Sequence, residues 1–479
     1  MSSERLPSRS EHFSDWYNQL VLRAELADYS PVRGSMVIRP YGWALWENIQ
    51  DGLDKRFKAT GHVNAAFPLL IPLSFFEKEK DHIEGFSPEL AIVTIAGGQE
   101  LEEPLVVRPT SETIIGHMYA KWIKSYRDLP ILINVWNSVV RWELRTKLFL
   151  RTTEFYWQEG HTAHATESEA EEETLQMLDI YEEFSVNEAA VPVIKGKKTE
   201  REKFAGAKDS YSIESMMGDL RALQSGTSHN LGQNFAKAFD IQYLDVGNTL
   251  QHCWTTSWGL STRFLGGIIM VHGDDHGLIL PPRLAPTQVV IVPIFRDAEQ
   301  KSATFEAAEQ IKLRLSNSRT LIDRREDLTP GYKFNDWEMR GVPLRIEIGP
   351  KDIAAGQAVL ARRDLPGREG KQEIALDKLE DTVEDLLINI QESMYEKAVR
   401  FRDENTHYVE TYDEFKEVLA DQGGFIRSHW AGTSEDEAQI KEETKASIRC
   451  LPIDRPEGKG RCFFTGKETD QVALFAKAY

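Results

Sequence analysis

Two runs of β-forming residues around a charged turn constrain this chain more than any other feature. Val139 and Val140 lead into Arg141-Trp142-Glu143, a short loop follows, and Arg151-Thr152-Thr153-Glu154-Phe155-Tyr156-Trp157-Gln158-Glu159 brings the chain back. Aromatic and β-branched residues on both sides of a polar turn predict an antiparallel hairpin. Alternate residues of a strand share a face, so Arg141 and Glu143 are expected to point together, and Arg151, Phe155 and Glu159 share one parity. That face would offer a guanidinium fork for phosphate, a ring for a base to stack on, and carboxylates for a metal or an amine. The plain alternative is a half-buried hairpin with a surface ion pair.

The spacing Arg-x-Glu, loop, Arg-x-x-x-Phe-x-x-x-Glu resembles the second signature motif of class II aminoacyl-tRNA synthetases, with Arg141, Glu143, Arg151, Phe155 and Glu159 filling its positions. The first motif of that family is a long helix leading to a strand with Pro before apolar residues. It has a counterpart in the helical spacing of Leu45, Ile49, Leu53 and Phe57 within Trp43 to Thr60, stopped by Gly61 and followed by a strand from Asn64 to Pro72. In the family this element lies at a dimer interface, so the resemblance implies a homodimer.

Elsewhere the composition sets limits. A chain of 479 residues, 41% hydrophobic with 11 Trp, can bury two or three cores. Three scattered cysteines, Cys253, Cys450 and Cys462, point to a reducing compartment. The polar stretch Met1 to Glu11 supports no signal or transit peptide, and no run reaches the roughly 18 apolar residues of a membrane span. A cytoplasmic protein is expected. The net charge of −19 does not exclude a nucleic-acid partner, because clustering matters more than the sum. Much of the acidity lies in Glu167 to Glu183, which reads as a helix with a solvated face.

Further along, Ser14 to Ala27 predicts an amphipathic helix, and Leu105 to Thr113 a strand delivering Thr110 and Glu112 to the start of a helix over Ile114 to Ile123. Thr110, Ser111 and Glu112 suit a helix N-terminus, and a hydroxyl beside a carboxylate also suits a small ammonium. From Thr287 the texture changes. Strands at Gln288 to Ile294, Arg319 to Ile322 and Leu344 to Ile348 alternate with helices, one through Ala308 and Leu313 and one over Lys333 to Arg340, implying a small α/β domain. Arg340, Arg345, Lys351, Arg362, Arg363 and Arg368 could line a phosphate patch or an ordinary solvated surface. Glu347 and Lys351, flanking Gly349-Pro350, are candidates for base contacts. The last segment, from about Ala398, carries a helix over Tyr412 to Ala420.

Five runs sharpen the resemblance to the prolyl-tRNA synthetases: Arg108-Pro109-Thr110-Ser111-Glu112, Trp157 to His164, Gln224 to Gly232, Thr256 to Arg263, and His272 to Pro286. The resemblance implies a mixed α/β (α+β) chain: an antiparallel-sheet catalytic domain over 1–286, an α/β anticodon-binding domain over 287–397 and a small α+β C-terminal domain over 398–479. Only Ala165 to Asp219 separates Gly160 from Gln224, which leaves no room for an editing domain, as in the archaeal and eukaryotic-like type. The C-terminal ending Phe475-Ala476-Lys477-Ala478-Tyr479 is also similar. Many relatives hold zinc there on four cysteines, whereas only Cys450 and Cys462 are present here, so no zinc is expected.

The implied function is ATP- and Mg2+-dependent attachment of L-proline to tRNA(Pro) through prolyl-adenylate. The implied catalytic residues are Arg141 and Arg283, the latter as the arginine of the third class II motif. The resemblance assigns proline to Thr110, Glu112, Arg141, Trp157, Glu159, His161, His229 and Ser261. It assigns ATP to Arg141, Glu143, Arg151, Thr152, Phe155, Gln224, Thr227, Arg263 and Arg283. Without an editing domain, some misactivation of alanine or cysteine is expected. The rival readings are a class II paralogue that charges no tRNA, and a non-catalytic tRNA-binding regulator.

Overall fold

The hairpin forms. In the computed structural model, which describes residues 5–76, 90–365, 367–454 and 458–479, Ile131–Val140 pairs antiparallel with Glu154–His164, from Val140 opposite Glu154 to Ile131 opposite Ala163. The strands stop short of the charged residues, however. Arg141, Glu143 and Arg151 lie in the connection, where Arg141 N donates to Thr153 O at 2.8 Å and Lys147 N to Arg151 O at 2.7 Å. The expectation that Arg141, Glu143 and Arg151 ride on strands is therefore corrected. A loop allows their side chains to converge in a way that strand alternation does not.

The hairpin belongs to an eleven-stranded sheet. Its antiparallel middle runs Val193–Lys197, Asp209–Met216, Ala222–Gly232, Trp254–Ser261, Glu154–His164, Ile131–Val140 in spatial order. The stretch between Gly160 and Gln224 is thus spent on the helix Glu167–Asn187 and two strands of the sheet itself. That helix opens on a capping box between Thr166 and Glu169, whose reciprocal bonds satisfy donors at its N-terminus. The helix Pro40–Ala59 turns Leu45, Trp46, Ile49, Leu53 and Phe57 into the core, and Gly61, at φ +92°, supplies the left-handed residue that ends it. The chain then makes only a two-residue strand at Val63–Asn64 and a separate one at Leu70–Pro72, so the single strand expected from Asn64 to Pro72 is divided. Trp16, Tyr17, Trp46, Phe57, Tyr181, Phe184, Trp258 and Phe264 fill one core. Trp258 lies so close over Gly160 that a Cβ there would stand 2.0 Å from its ring.

A five-stranded sheet follows, ordered Thr320–Ile322, Val289–Pro293, Leu344–Ile348, Gln357–Arg362, Lys371–Ala375, parallel across its first three strands and antiparallel beyond. The uninterrupted apolar run of Val289–Pro293 is what a parallel strand covered on both faces requires. Several contacts tie this unit to the first, among them three made by arginines. Arg319 donates to Ala285 O and Pro282 O at 2.8 and 2.9 Å, Arg363 forks onto Asp274, and Arg340 pairs with Glu25. Of the C-terminal strands, Gly460–Arg461 and Glu468–Thr469 pair by themselves, while Thr406–Tyr408, Phe425–His429, Val472–Ala476 and Ser447–Pro452 continue the central sheet. Ser447–Pro452 pairs with Val193–Lys197 and so extends the central sheet. Buried at this seam, Glu214 accepts from Lys198 Nζ at 2.8 Å and from Arg449 Nε at 3.1 Å. Burial alone would favour the neutral acid, but the two cations hold the carboxyl below its usual range.

Candidate active site

Two adjoining cavities open on the sheet, and Arg141 lines both. The first, of about 230 Å³, is bordered by Thr110, Glu112, Arg141, Trp157, Glu159, His161, Gln224, Thr227 and His229 together with Lys198, Glu202, Phe204, Ser210, Ser257, Trp258 and Gly259. The second, of about 200 Å³, is bordered by Arg141, Glu143, Phe149, Leu150, Arg151, Thr152, Phe155, Ser261 and Arg263.

Three carboxylates, of Glu112, Glu159 and Glu202, line the first cavity. Glu112 opens the helix Glu112–Trp122, two residues earlier than the expected start, and accepts from the Thr110 hydroxyl. Ser111 is the N-cap residue, yet its hydroxyl and amide both turn to Glu159 rather than to the helix. Glu159 also accepts from Asn137 Nδ2 at 2.7 Å and His161 Nε2 at 3.0 Å, while Asn137 Oδ1 accepts from Trp157 Nε1 at 2.7 Å. Burial opposes both charges, but the hydrogen bond and mutual attraction of the pair prevail, holding Glu159 below and His161 above their ordinary values. His229 is different. Burial pushes it down to about 4, and it sits neutral with Nδ1 2.8 Å from Ser210 Oγ and its ring stacked 4.7 Å from Phe204.

The second cavity is lined by arginines. Arg141 donates from Nε to Pro109 O at 3.0 Å and lies 5.4 and 5.3 Å over the rings of Phe155 and Trp157, a geometry that fixes the guanidinium by cation–π attraction. Arg263 donates from Nε to Leu150 O at 3.0 Å. Burial, then the charges of Arg141 and Arg151, push Arg263 down to about 10. Three arginines that repel one another in a partly buried cleft favour a bound polyanion. Glu143 is the counter-charge in this lining, 3.5 Å from Arg151.

Several expected placements are corrected. Ser261 lies in the second cavity and Ser257 in the first. Both have the same strand parity, and they stand about 13 Å apart along the strand; only the register, with Ser257 opposite His161 and His229 and Ser261 opposite Trp157, tells them apart. The Ser257 hydroxyl is buried without a partner. Gln224 and Thr227 line the first cavity rather than the arginine-rich second one. Arg283 lies in neither. It donates to Asn187 O at 3.0 Å and borders a cleft with Gln288, Arg314 and Glu380. The strand–helix element that opens on an arginine is Trp254–Ser261 followed by Arg263–His272, so Arg263, not Arg283, takes that place. Lys198, Glu202, Phe204 and Ser210 were not foreseen from the sequence; they come from the irregular stretch after Val193–Lys197 and the start of the next strand.

The basic residues of the α/β unit do not form the patch considered above. Arg340 pairs with Glu25 and Asp336, Arg345 with Glu338 and Glu347, Arg362 with Asp364 and Arg363 with Asp274. Glu347, considered as a base contact, is buried and also accepts from Lys371 at 2.8 Å. Lys351 and Arg368 stay exposed. Among the described residues no group of three or more His, Cys, Asp or Glu is placed to hold a metal. Cys450 and Cys462 lie in separate apolar clusters.

An antiparallel sheet carrying a hairpin with Arg141 and Phe155, and a strand–helix corner opening on Arg263, defines the class II aminoacyl-tRNA synthetase core. Comparison with known families agrees. Residues 93–272 match the tRNA synthetase class II core domain (G, H, P, S and T), residues 288–386 the anticodon binding domain, and residues 412–479 the C-terminal domain of prolyl-tRNA synthetase. The chain is 58% identical to the proline–tRNA ligase of Roseiflexus sp. (strain RS-1) and 55% identical to that of Chloroflexus aurantiacus (strain ATCC 29366 / DSM 635 / J-10-fl), each over the whole of both chains. It is 54% identical to the chloroplastic/mitochondrial proline–tRNA ligase of Arabidopsis thaliana, over the whole chain and 89% of that protein. The chain belongs to the prolyl-tRNA synthetase family.

Proposed function

We infer that the chain attaches L-proline to tRNA(Pro) in two ATP-dependent steps. The observation that carries this reading is the position of Arg141, shared between a carboxylate-lined cavity and an arginine-lined one. Proline's secondary ammonium has two N–H groups, matched by the Glu112 carboxylate and the Thr110 oxygen. Its ring packs against Trp157, Trp258 and the neutral His229, and its carboxylate turns to Arg141. ATP fits the second cavity, with Phe155 beside the base and Arg151 and Arg263 on the phosphates; Mg2+ bound with it, beside the Glu143 carboxylate, would neutralise further charge. A proline carboxylate oxygen forms a bond to the α-phosphorus as the bond to the β-phosphate oxygen breaks, and pyrophosphate leaves. The terminal ribose hydroxyl of tRNA then attacks the prolyl carbonyl, loses its proton, and AMP departs. The attacking carboxylate is already ionised, so the first step needs no general base and rests on positioning and charge stabilisation.

On this reading residues 1–286 catalyse, 287–397 bind the anticodon arm and 398–479 form a C-terminal unit without zinc. A homodimer is supported by the exposed Val63, Leu69 and Leu70 after the helix Pro40–Ala59, and a cytoplasmic setting by three cysteines with no disulfide. A methylene fewer weakens binding by only about 1 to 3 kcal/mol, so alanine or cysteine is activated at a lower rate. The test is charging of a tRNA(Pro) transcript with labelled proline, alanine and cysteine. Strong charging with proline is expected; no charging with proline overturns the reading.

A further inference from the structure

Most walls of the first cavity belong to strands whose positions are set by the ladder of the central sheet. Besides the part given by Thr110, Glu112 and Arg141, one further wall is not built that way. Lys198, Glu202 and Phe204 come from residues 198–208, which form neither strand nor helix between Val193–Lys197 and Asp209–Met216. An irregular segment takes its position from the contacts it makes, and it is the first part of a site to move when they weaken.

Three of those contacts come from the far end of the chain. Lys198 Nζ donates to Arg449 O at 2.6 Å, Thr199 Oγ1 to Glu437 Oε1 at 3.1 Å, and Lys441 Nζ to Glu202 Oε1 at 3.0 Å. The strand Ser447–Pro452 is hydrogen-bonded to the strand from which the wall departs, so the wall stands at the seam between the C-terminal unit and the catalytic sheet. On the catalytic side Phe204 is fixed by Ser210 Oγ, 3.0 Å from its amide, and by stacking on His229.

We propose that the C-terminal unit sets the affinity for proline by clamping this wall, and that Lys441 is a positioning residue for the proline cavity. The inference rests on the functional reading above. Lys441 reaches the cavity only through Glu202, a side chain that lines it. The coupling is reciprocal: proline that orders the wall also tightens the docking of the C-terminal unit. Lys441 is half exposed, so its attraction is screened by salt and its effect is a few-fold change rather than a loss of activity. The buried Lys198, Glu214 and Arg449 cluster is a poor place to test the idea, because removing one member strands a buried charge and threatens the fold.

Full-length Lys441→Glu and Lys441→Arg proteins test it by two readouts. In proline-dependent pyrophosphate exchange, Lys441→Glu raises KM for proline about three- to tenfold, with KM for ATP, kcat and melting temperature unchanged, and Lys441→Arg restores the wild-type value. Raising salt to about 0.5 M moves the wild type towards Lys441→Glu. In amide hydrogen exchange without substrate, residues 198–208 of Lys441→Glu exchange faster than those of the wild type. An unchanged exchange of the wall overturns the clamp whatever the protein's substrate, as does a parallel rise in both KM values with a lower melting temperature. If the wild type itself shows no proline-dependent exchange while the wall still loosens in the variant, the functional reading falls and the clamp stands.

Discussion

A carboxylate as buried as that of Glu159 stays ionised only when its surroundings supply charge and donors, and here Ser111, Asn137 and His161 do so. His161 is held above 6.5, so its share of the stabilisation is complete below 6.5 and is lost as pH rises through the raised pKa. Glu159 is held below 4.5, so its share is present above 4.5 and is lost as pH falls through the lowered pKa. The pair therefore persists from below 4.5 to above 6.5. KM for proline should be flat across that window and rise on the alkaline side as His161 loses its proton. Glu159→Gln should raise KM about tenfold and move the alkaline limb to lower pH; a limb that stays in place in a pH profile of the variant would count against this assignment. At Gly160 the prediction concerns stability. Gly160→Ala forces a methyl into the Trp258 ring and should cost about 1 to 3 kcal/mol, read as a lower urea midpoint.

Among the elements, the strand–helix corner at Arg263 separates two accounts of nucleotide binding. Arg263→Ala should depress ATP-dependent exchange about a hundredfold or more, whereas Arg283→Ala should leave it within about threefold, because Arg283 meets Asn187 O and the distant cleft. Comparable losses in both would reinstate Arg283. The residues explain why the sequence suggested otherwise. The hairpin and the helix Pro40–Ala59 announce themselves through periods of two and four, and the apolar Val289–Pro293 through its continuity. The corner at Arg263 has the right strand and the right helix, but its arginine looks no different in sequence from Arg283. Likewise Ser257 and Ser261 alternate identically, and only pairing with His161, His229 and Trp157 distinguishes them. A loop between Glu143 and Arg151 was legible, but not that it takes in Arg141, Glu143 and Arg151; it contains Phe149 at φ +62°, a backbone state no propensity predicts for phenylalanine.

At the scale of the whole molecule, what stayed hidden is long-range. Lys198 and Arg449 are 251 positions apart, and no local pattern announces that Ser447–Pro452 joins the sheet of Val193–Lys197. The same holds for the ion pairs of Arg340 with Glu25 and of Arg363 with Asp274, whose partners lie in another unit, whereas Glu347, Asp364 and Asp336 are sequence neighbours of the arginines they meet. Burial disfavours the charge of Asp274, but the Arg363 fork holds it below its usual value, so the α/β unit is docked by a charged pair. Asp274→Ala should loosen that docking and lower tRNA charging about tenfold while amino-acid-dependent pyrophosphate exchange changes far less; equal losses would show that the pair serves the catalytic unit alone.

Proline activation turns on one guanidinium shared by two cavities. Its most direct test is pyrophosphate exchange into ATP, run across the amino acids with the wild type beside Arg141→Ala and Arg141→Lys. Strong exchange with proline, a loss of about a hundredfold or more in Arg141→Ala, and little recovery by the unforked lysine are predicted. Wild-type exchange that is absent with proline, or that survives in Arg141→Ala, would contradict it.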